Sequence, residues 1–284
     1  MKKNSLSKRN IKSAVKQRYS KLINNSKRDF CCCSTSSDLC LEDKMKGNLV
    51  KLAGYQKAEL KSIPWEAVEN SFGCGNPLSF VEVKKGQTVL DIGSGVGIDC
   101  FIAAEKVGKM GKVIGIDFTP EMIEKASTTA KSNGYTQVEF RLGDAESIPV
   151  EDNSVDWVIS NCVINLSPNK QKVFSEISRV LKPDGQFSIS DIVLGDNLPS
   201  YITNSIDAWT GCIAGAIKEK DYINGLIKAG LAEITVESRI FYDKSVIEGF
   251  INYSDTTSNS ETLLDNLDSK IWSVKIRGKK LPIS

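Results

Sequence analysis

Eight cysteines and no histidine occur in 284 residues. Without imidazole, Ser-His and Cys-His nucleophilic catalysis and every His-containing metal site are excluded. Three of the thiols have distinctive surroundings: Cys74 in Gly73-Cys74-Gly75-Asn76-Pro77, Cys162 in Ser160-Asn161-Cys162-Val163-Ile164-Asn165-Leu166, and Cys212 in Gly211-Cys212-Ile213-Ala214-Gly215-Ala216. Three convergent thiolates with no second ligand type suit a soft, thiophilic centre. Zn(II) usually asks for a fourth ligand, whereas a pyramidal trivalent arsenic asks for three. The competing reading of each is structural, because free Cys is commonly buried as a small hydrophobe. Cys100, on the apolar side of a predicted helix, is read that way.

A second constellation is the run Val89-Leu90-Asp91-Ile92-Gly93-Ser94-Gly95-Val96-Gly97. Its glycines allow a tight turn and close approach of a ligand to backbone, as phosphate and nucleoside loops both require. A dinucleotide loop would place its glycines directly behind the strand without Asp91. The order hydrophobic-hydrophobic-Asp-x-Gly-x-Gly-x-Gly resembles motif I of the class I S-adenosylmethionine-dependent methyltransferases. That resemblance implies that Asp91, Gly93, Gly95 and Gly97 hold S-adenosylmethionine, that the Asp117 carboxylate accepts from both ribose hydroxyls, and that Asp144, with Ala145, meets the adenine amino group. Met122 is then placed to pack on the adenine face. The plainer readings are a strand-end turn acid for Asp117 and a core residue for Met122.

These residues need a scaffold, and the hydropathy pattern supplies one. Thr88 to Ile92, Val113 to Asp117, Val138 to Leu142, Val155 to Ser160 and Gln186 to Ile192 read as buried strands. Helices are predicted between them: one opening near Asp99, one capped by Thr119 with Pro120 in its first turn, and one marked by Val173, Ile177, Val180 and Leu181. Alternation of this kind implies a parallel sheet. Further on, helices are predicted near Ser200 to Trp209 and Lys220 to Ala229, and strands at Ile234 to Ser238 and Ile271 to Ile276, with a loop from Ser254 to Ser260. The fold class is therefore α/β: a doubly wound, mostly parallel, seven-stranded Rossmann-like sheet. The expected division is an N-terminal arm over 1–60, a cofactor-binding core over 61–195 and a C-terminal part over 196–284.

The net charge of +2 hides an asymmetry: residues 1–28 carry ten Lys and Arg and no acid, leaving 27 basic against 35 acidic residues in the rest. Such a run is most simply a solvated face, and Ile11, Ala14, Val15, Arg18, Tyr19 and Leu22 recur at the spacing of an amphipathic helix that docks on the main domain. Without aromatic-basic interleaving, no nucleic-acid partner is expected. No apolar run approaches a bilayer span, and the basic amino terminus lacks the apolar stretch of a secretory signal, so a cytoplasmic protein without a membrane partner is expected. Eight thiols in a long chain of this kind fit a reducing compartment better than a disulfide framework.

Over most of residues 45 to 280 the chain resembles the arsenite S-adenosylmethionine methyltransferases, through the Cys74 segment, Ile159 to Pro168 and the Cys212 segment. The resemblance implies that Cys162 and Cys212 ligate arsenic(III), with Cys74 as the third ligand and all three acting catalytically. It implies methylation of arsenite to mono- and dimethylated arsenic by in-line attack, so that catalysis rests on positioning and needs no general base. A thiol reductant, glutathione or thioredoxin, then restores trivalent arsenic, and protein thiols pass through a disulfide. Cys31, Cys32, Cys33 and Cys40 resemble the Cys-rich arm of family members, which captures or relays arsenic or closes a disulfide on Cys74. A monomer acting in arsenic detoxification on arsenite and methylarsenite is the resulting expectation. Two other readings stay open on sequence: a methyltransferase for a small organic acceptor such as a quinone precursor, with Cys162 and Cys212 as packing residues, and a non-catalytic arsenic or zinc binder.

Overall fold

Residues 8–25, 53–71, 73–198, 200–203, 209, 212–242 and 270–282 are described by the structure, a computed structural model. Cys31, Cys32, Cys33, Cys40 and the loop expected at Ser254 to Ser260 lie outside them. In chain order the elements are α1 (Lys8–Asn25), α2 (Lys57–Leu60), α3 (Trp65–Glu69), β1 (Thr88–Ile92), α4 (Ile98–Val107), β2 (Lys112–Asp117), α5 (Pro120–Ser132), β3 (Val138–Leu142) and β4 (Val155–Asn161). A 3₁₀ turn at Ile164–Leu166 follows, then α6 (Lys170–Val180), β5 (Leu181–Leu194), α7 (Ser200–Thr203), β6 (Ile217–Lys218), α8 (Glu219–Lys228), β7 (Leu231–Phe241) and β8 (Ile271–Lys280).

The strands hydrogen-bond in the order β3-β2-β1-β4-β5-β8-β7, parallel from β3 through β5 and antiparallel where β8 meets β5 and β7. This is the seven-stranded doubly wound sheet expected, with one addition: the two-residue β6 pairs with the end of β5 at Val193. The period-2 alternation of the central strands sorts their side chains into two layers. Val89, Val113, Trp157 and Ile159 pack under α4 with Phe101, and Leu90, Ile114, Ile116 and Val158 face α6 and α8 with Phe174 and Tyr222. Chain order reverses at β1, which lies between β2 and β4, so Gly93 and Cys162 leave adjacent strands at the topological switch point.

Three boundaries differ from the pattern reading. β5 begins at Leu181, because Leu181 already pairs with Val155 and the predicted turn at Lys182 to Gly185 is absorbed as an irregular stretch in which Asp184 takes a left-handed φ of 61°. β7 and β8 are longer than predicted because they pair with each other along most of their length. Within the segment expected as a polar arm, Ala53 and Tyr55 are buried in the layer that holds Phe101.

Helix α1 packs across the carboxyl ends of the strands. Ile11 and Val15 are buried in a cluster with Cys162, Leu166, Cys212 and Ile213. Ile23, farther along the helix, is buried in the layer that holds Phe101, and each such buried aliphatic side chain contributes about 1.5 to 3 kcal/mol to the attachment of an otherwise polar helix.

Candidate active site

The Gly-rich loop is fixed at both ends. Gly93 N and Ser94 N both donate to Ile116 O at 2.8 Å, tying the loop to the end of β2. Gly97, at φ 95°, is the N-cap of α4, and a Cβ there would stand 2.6 Å from the Phe140 ring. Gly95, at φ 53°, faces open space. Beyond it lies a cleft open to solvent, lined by Gly93, Ser94, Gly95, Asp117, Met122 and Cys162, with Tyr19 of α1 on one wall.

Five of the sequence-predicted site residues thus meet in one cleft: Gly93, Gly95, Asp117, Met122 and Cys162. Asp117 ends β2, and its two carboxylate oxygens accept from Gly95 N at 3.1 Å and Thr119 N at 2.8 Å. Burial pushes its pKa up, and those N–H groups oppose the shift. Each oxygen keeps a further lone pair for a ligand hydroxyl.

Other predicted residues lie outside the lining. Asp91 is only 2% exposed and accepts the Cys100 thiol at 3.3 Å, so it backs the loop rather than facing the cleft. Burial, and then the neighbouring Asp99 charge, push its pKa well above the usual carboxylate range. Gly97 is taken up by the helix cap. Asp144 is held elsewhere: Lys12 Nζ lies 2.6 Å from one oxygen and Glu146 N donates to the other at 2.9 Å. Ala145 packs against the apolar layer beneath. Cys100 is fully buried, as a small apolar residue would be, but its thiol also donates to Asp91.

The thiols differ from the expected set of three free ligands. Cys74 and Cys162 are joined in a disulfide, their Cα atoms 5.8 Å apart across 88 residues of sequence. Cys74 is therefore bonded to Cys162 and not to the N-terminal arm. Cys212 stays free and buried, its Sγ donating to Cys162 O at 3.0 Å. Burial, followed by the charge of Asp191, pushes the Cys212 thiol up. In this oxidised form no group of three Cys, Asp or Glu among the described residues is arranged to hold an ion. Cys162 (φ 57°) and Cys212 (φ 64°) both adopt the left-handed conformation that side chains avoid.

The pattern reading missed Asp99, Asn161 and Tyr55. Asp99 and Asn161 line the cleft, and the Tyr55 hydroxyl donates to Asp99 Oδ1 at 2.9 Å. Burial raises the Asp99 pKa to about 6 against the opposing effect of the Asn161 and Tyr55 hydrogen bonds. The available signals were slight: an acid in the first turn of α4 beside Ile98, and Asn161 as the polar end of an apolar strand.

A family model described as "Methyltransferase domain" matches residues 83–230. An arsenite methyltransferase of Halobacterium salinarum is 40% identical over 227 residues, covering 78% of this chain and 57% of that protein. One from Aquipseudomonas alcaligenes is 33% identical over 74% of this chain and 58% of its own length. The crystal structure of an arsenic(III) S-adenosylmethionine methyltransferase from Chlamydomonas reinhardtii superposes with a TM-score of 0.67 at 32% identity, covering 80% of this chain and 73% of that one. The chain belongs to the arsenite methyltransferase family. It spans a little under three fifths of the length of the two curated relatives.

The cleft fits the methyl donor that this family's fold implies. Ser94 Oγ is buried on the loop without a hydrogen-bond partner among the described residues, beside the open space at Gly95 and within the same lining as the Asp117 carboxylate. A cleft with a buried hydroxyl on one side and a carboxylate acceptor on the other suits a nucleoside. Among the described residues no helix is long and apolar enough to cross a membrane.

Proposed function

We propose that this chain transfers methyl groups from S-adenosylmethionine to trivalent arsenic held by protein thiolates, giving mono- and dimethylated arsenic. The observation that carries the reading is the position of Cys162: it lines the same cleft as Gly95 and Asp117 while bonded to Cys74 and accepting the Cys212 thiol on its carbonyl oxygen. Cys162 is thus on the wall of the cofactor cradle, with Cys74 and Cys212 joined to it by a disulfide and a hydrogen bond.

Gly93, Gly95, Ser94 and Asp117 would hold the donor, with Met122 against its base. The donor supplies an electrophilic S-methyl carbon to the arsenic lone pair, and S-adenosylhomocysteine leaves. The chain's own contribution is binding and orientation, which needs no proton relay and is consistent with a protein that has no His. Before arsenic can bind, the Cys74–Cys162 disulfide must be opened. An external thiol reductant, of the glutathione or thioredoxin kind, does this by thiol–disulfide exchange, two electrons entering the protein and the reductant leaving as its own disulfide. The same class of reductant returns the two electrons that each methyl transfer formally removes from arsenic. We further propose a monomer that works in the cytoplasm, on arsenite and methylarsenite, without nucleic-acid or membrane partners, as a detoxifying enzyme.

Replacing Cys162 with Ser tests the assignment. Arsenite-dependent turnover is abolished while S-adenosylhomocysteine binding is retained; methylation persisting in the variant would sink the reading and favour an organic acceptor. Incubation with labelled cofactor, arsenite and a thiol separates a methyltransferase from a mere binder, which yields no methylated arsenic.

A further inference from the structure

The segment Gly73-Cys74-Gly75 runs between two side chains that close over it. A Cβ on Gly73 would overlap the Asn161 side-chain amide, and one on Gly75 would stand 2.7 Å from Ser190 Cβ. Both glycines are required by these close approaches. Asn161 also holds the segment by its backbone: its Oδ1 accepts from Gly75 N at 3.1 Å and its Nδ2 donates to Gly75 O at 2.6 Å. One side chain therefore pairs with both polar groups of the residue next to Cys74, from the position next to Cys162. The amide is itself held. Its Nδ2 also lies 3.0 Å from the Tyr55 hydroxyl and 3.2 Å from Asp99 Oδ2, and Tyr55 donates to the other Asp99 oxygen. All of these groups are buried.

We propose that Asn161 is a positioning residue that keeps Cys74 against Cys162 when the disulfide is open, so that the two thiols are presented to arsenic as a preformed pair. The pair is separated by 88 residues of chain, and closing so long a loop costs entropy that a pre-held segment has already met. Supporting contacts from other elements are single hydrogen bonds: Ser273 Oγ donates to Cys74 O at 3.3 Å and Ser188 Oγ to Pro77 O at 2.6 Å. Among the described residues Asn161 alone makes a two-way contact, and it alone links the segment to Asp99 in the cofactor cleft. This inference rests on the proposed thiolate site but not on methyl transfer, so the two can fail separately.

The test uses the full-length reduced chain with Cys31, Cys32, Cys33, Cys40 and Cys212 replaced by Ser, leaving Cys74 and Cys162 as the reactive pair. The probe is phenylarsine oxide. Two S–H bonds break, two As–S bonds form and the arsenic-bound oxygen leaves as water, with no change of oxidation state. In this background Asn161→Ala binds the probe at least tenfold more weakly, while free-thiol titre and far-UV circular dichroism are unchanged. Equal capture by Asn161→Ala and its parent would overturn the proposal. Asn161→Asp provides a second readout. An ionised carboxylate at this position accepts from Gly75 N but repels Gly75 O and Asp99, whereas its protonated form can donate again, so capture is weak at pH 8 and recovers as pH falls toward 5. Capture by Asn161→Asp that tracks the parent's at every pH overturns the proposal even if the alanine variant does not fold. An unsubstituted chain, with Cys212 in place, that captures the probe yet forms no methylated arsenic from arsenite removes the proposed activity and leaves the positioning role standing.

Discussion

Lys12 of the N-terminal helix and Asp144 beyond β3 form an ion pair across 132 residues of sequence, Nζ to Oδ2 2.6 Å, with Glu146 as a second acceptor at 2.9 Å. The pair joins the basic segment to the position where the family resemblance expects an adenine-amino acceptor. With an adenine amino group at Asp144, as the resemblance implies, α1 and the cofactor would share one carboxylate, and the Lys12 charge would weaken it as an acceptor. The groups are partly exposed, and such a pair is worth about 0 to 1 kcal/mol. Lys12→Met therefore leaves the melting temperature within a few degrees but strengthens S-adenosylhomocysteine binding, most at low salt, where the competing charge is least screened. Calorimetric titration at two salt concentrations checks this; unchanged affinity at both would remove Asp144 from the cofactor site.

Asp117 carries the opposite expectation. It shapes the loop through Gly95 N and positions the adjacent turn through Thr119 N, and it lines the same cleft as Gly95. Hydrogen bonds to a charged acceptor contribute about 1.5 to 3 kcal/mol. Asp117→Asn accordingly lowers S-adenosylhomocysteine affinity by roughly 10- to 100-fold, with little change in far-UV circular dichroism. Full affinity in the variant would show that the ribose is held elsewhere.

Much of this was legible in the chain itself, and the reason is local. β1, the glycines and Asp117 sit within 30 residues and obey short-range rules: an apolar run, a required turn, and an acid at a strand end. The helical period of Ile11, Val15 and Tyr19 likewise announced a docking helix, although not that Tyr19 would form a wall of the cleft. What stayed hidden depends on contacts between distant segments. Asn161 meets Gly75 across 86 residues and Tyr55 across 106, and no pattern within either segment announces the partner. Asp91 shows a different limit. Its motif position is plain in sequence, but strand alternation turns its carboxylate inward to Cys100 and Asp99, where it supports the loop from behind.

The backbone at Cys162 gives a prediction separable from its chemistry. A non-glycine residue in the left-handed region bears a cost of roughly 1 to 2 kcal/mol, which glycine avoids at some expense in unfolded-state entropy. In reducing buffer, where the disulfide makes no contribution, Cys162→Gly is more stable than Cys162→Ala by up to about 1 kcal/mol, and neither methylates arsenite. Urea midpoints measure the difference. An alanine variant as stable as the glycine one would mean that the φ of 57° carries no strain.

Asp191, on β5 beneath the thiols, gives the protein a pH-dependent stability. It accepts from Asn165 Nδ2 at 2.9 Å, Ile192 N at 2.9 Å and the Tyr222 hydroxyl at 3.2 Å. Burial nonetheless raises its pKa to about 7, against the lowering effect of these bonds and of Lys170. In the unfolded chain an Asp titrates near 4. Between those values the folded protein holds a proton that the unfolded chain has released, so the contribution of Asp191 to stability is fully present below about pH 4, falls as pH rises, and is lost above about pH 7. A shift of about 3 units corresponds to roughly 4 kcal/mol. Asp99, raised to about 6, acts in the same direction over a narrower window. Asp191→Asn removes the larger of the two. Its urea-midpoint profile is therefore flatter than the parent's between pH 4.5 and 7.5, with a residual slope from Asp99, Asp91 and Asp117, whose pKa values burial also raises. If the Asp191→Asn profile runs parallel to the parent's over that range, Asp191 is ionised in the folded protein throughout, and the hydrogen bonds from Asn165, Ile192 and Tyr222 have outweighed its burial.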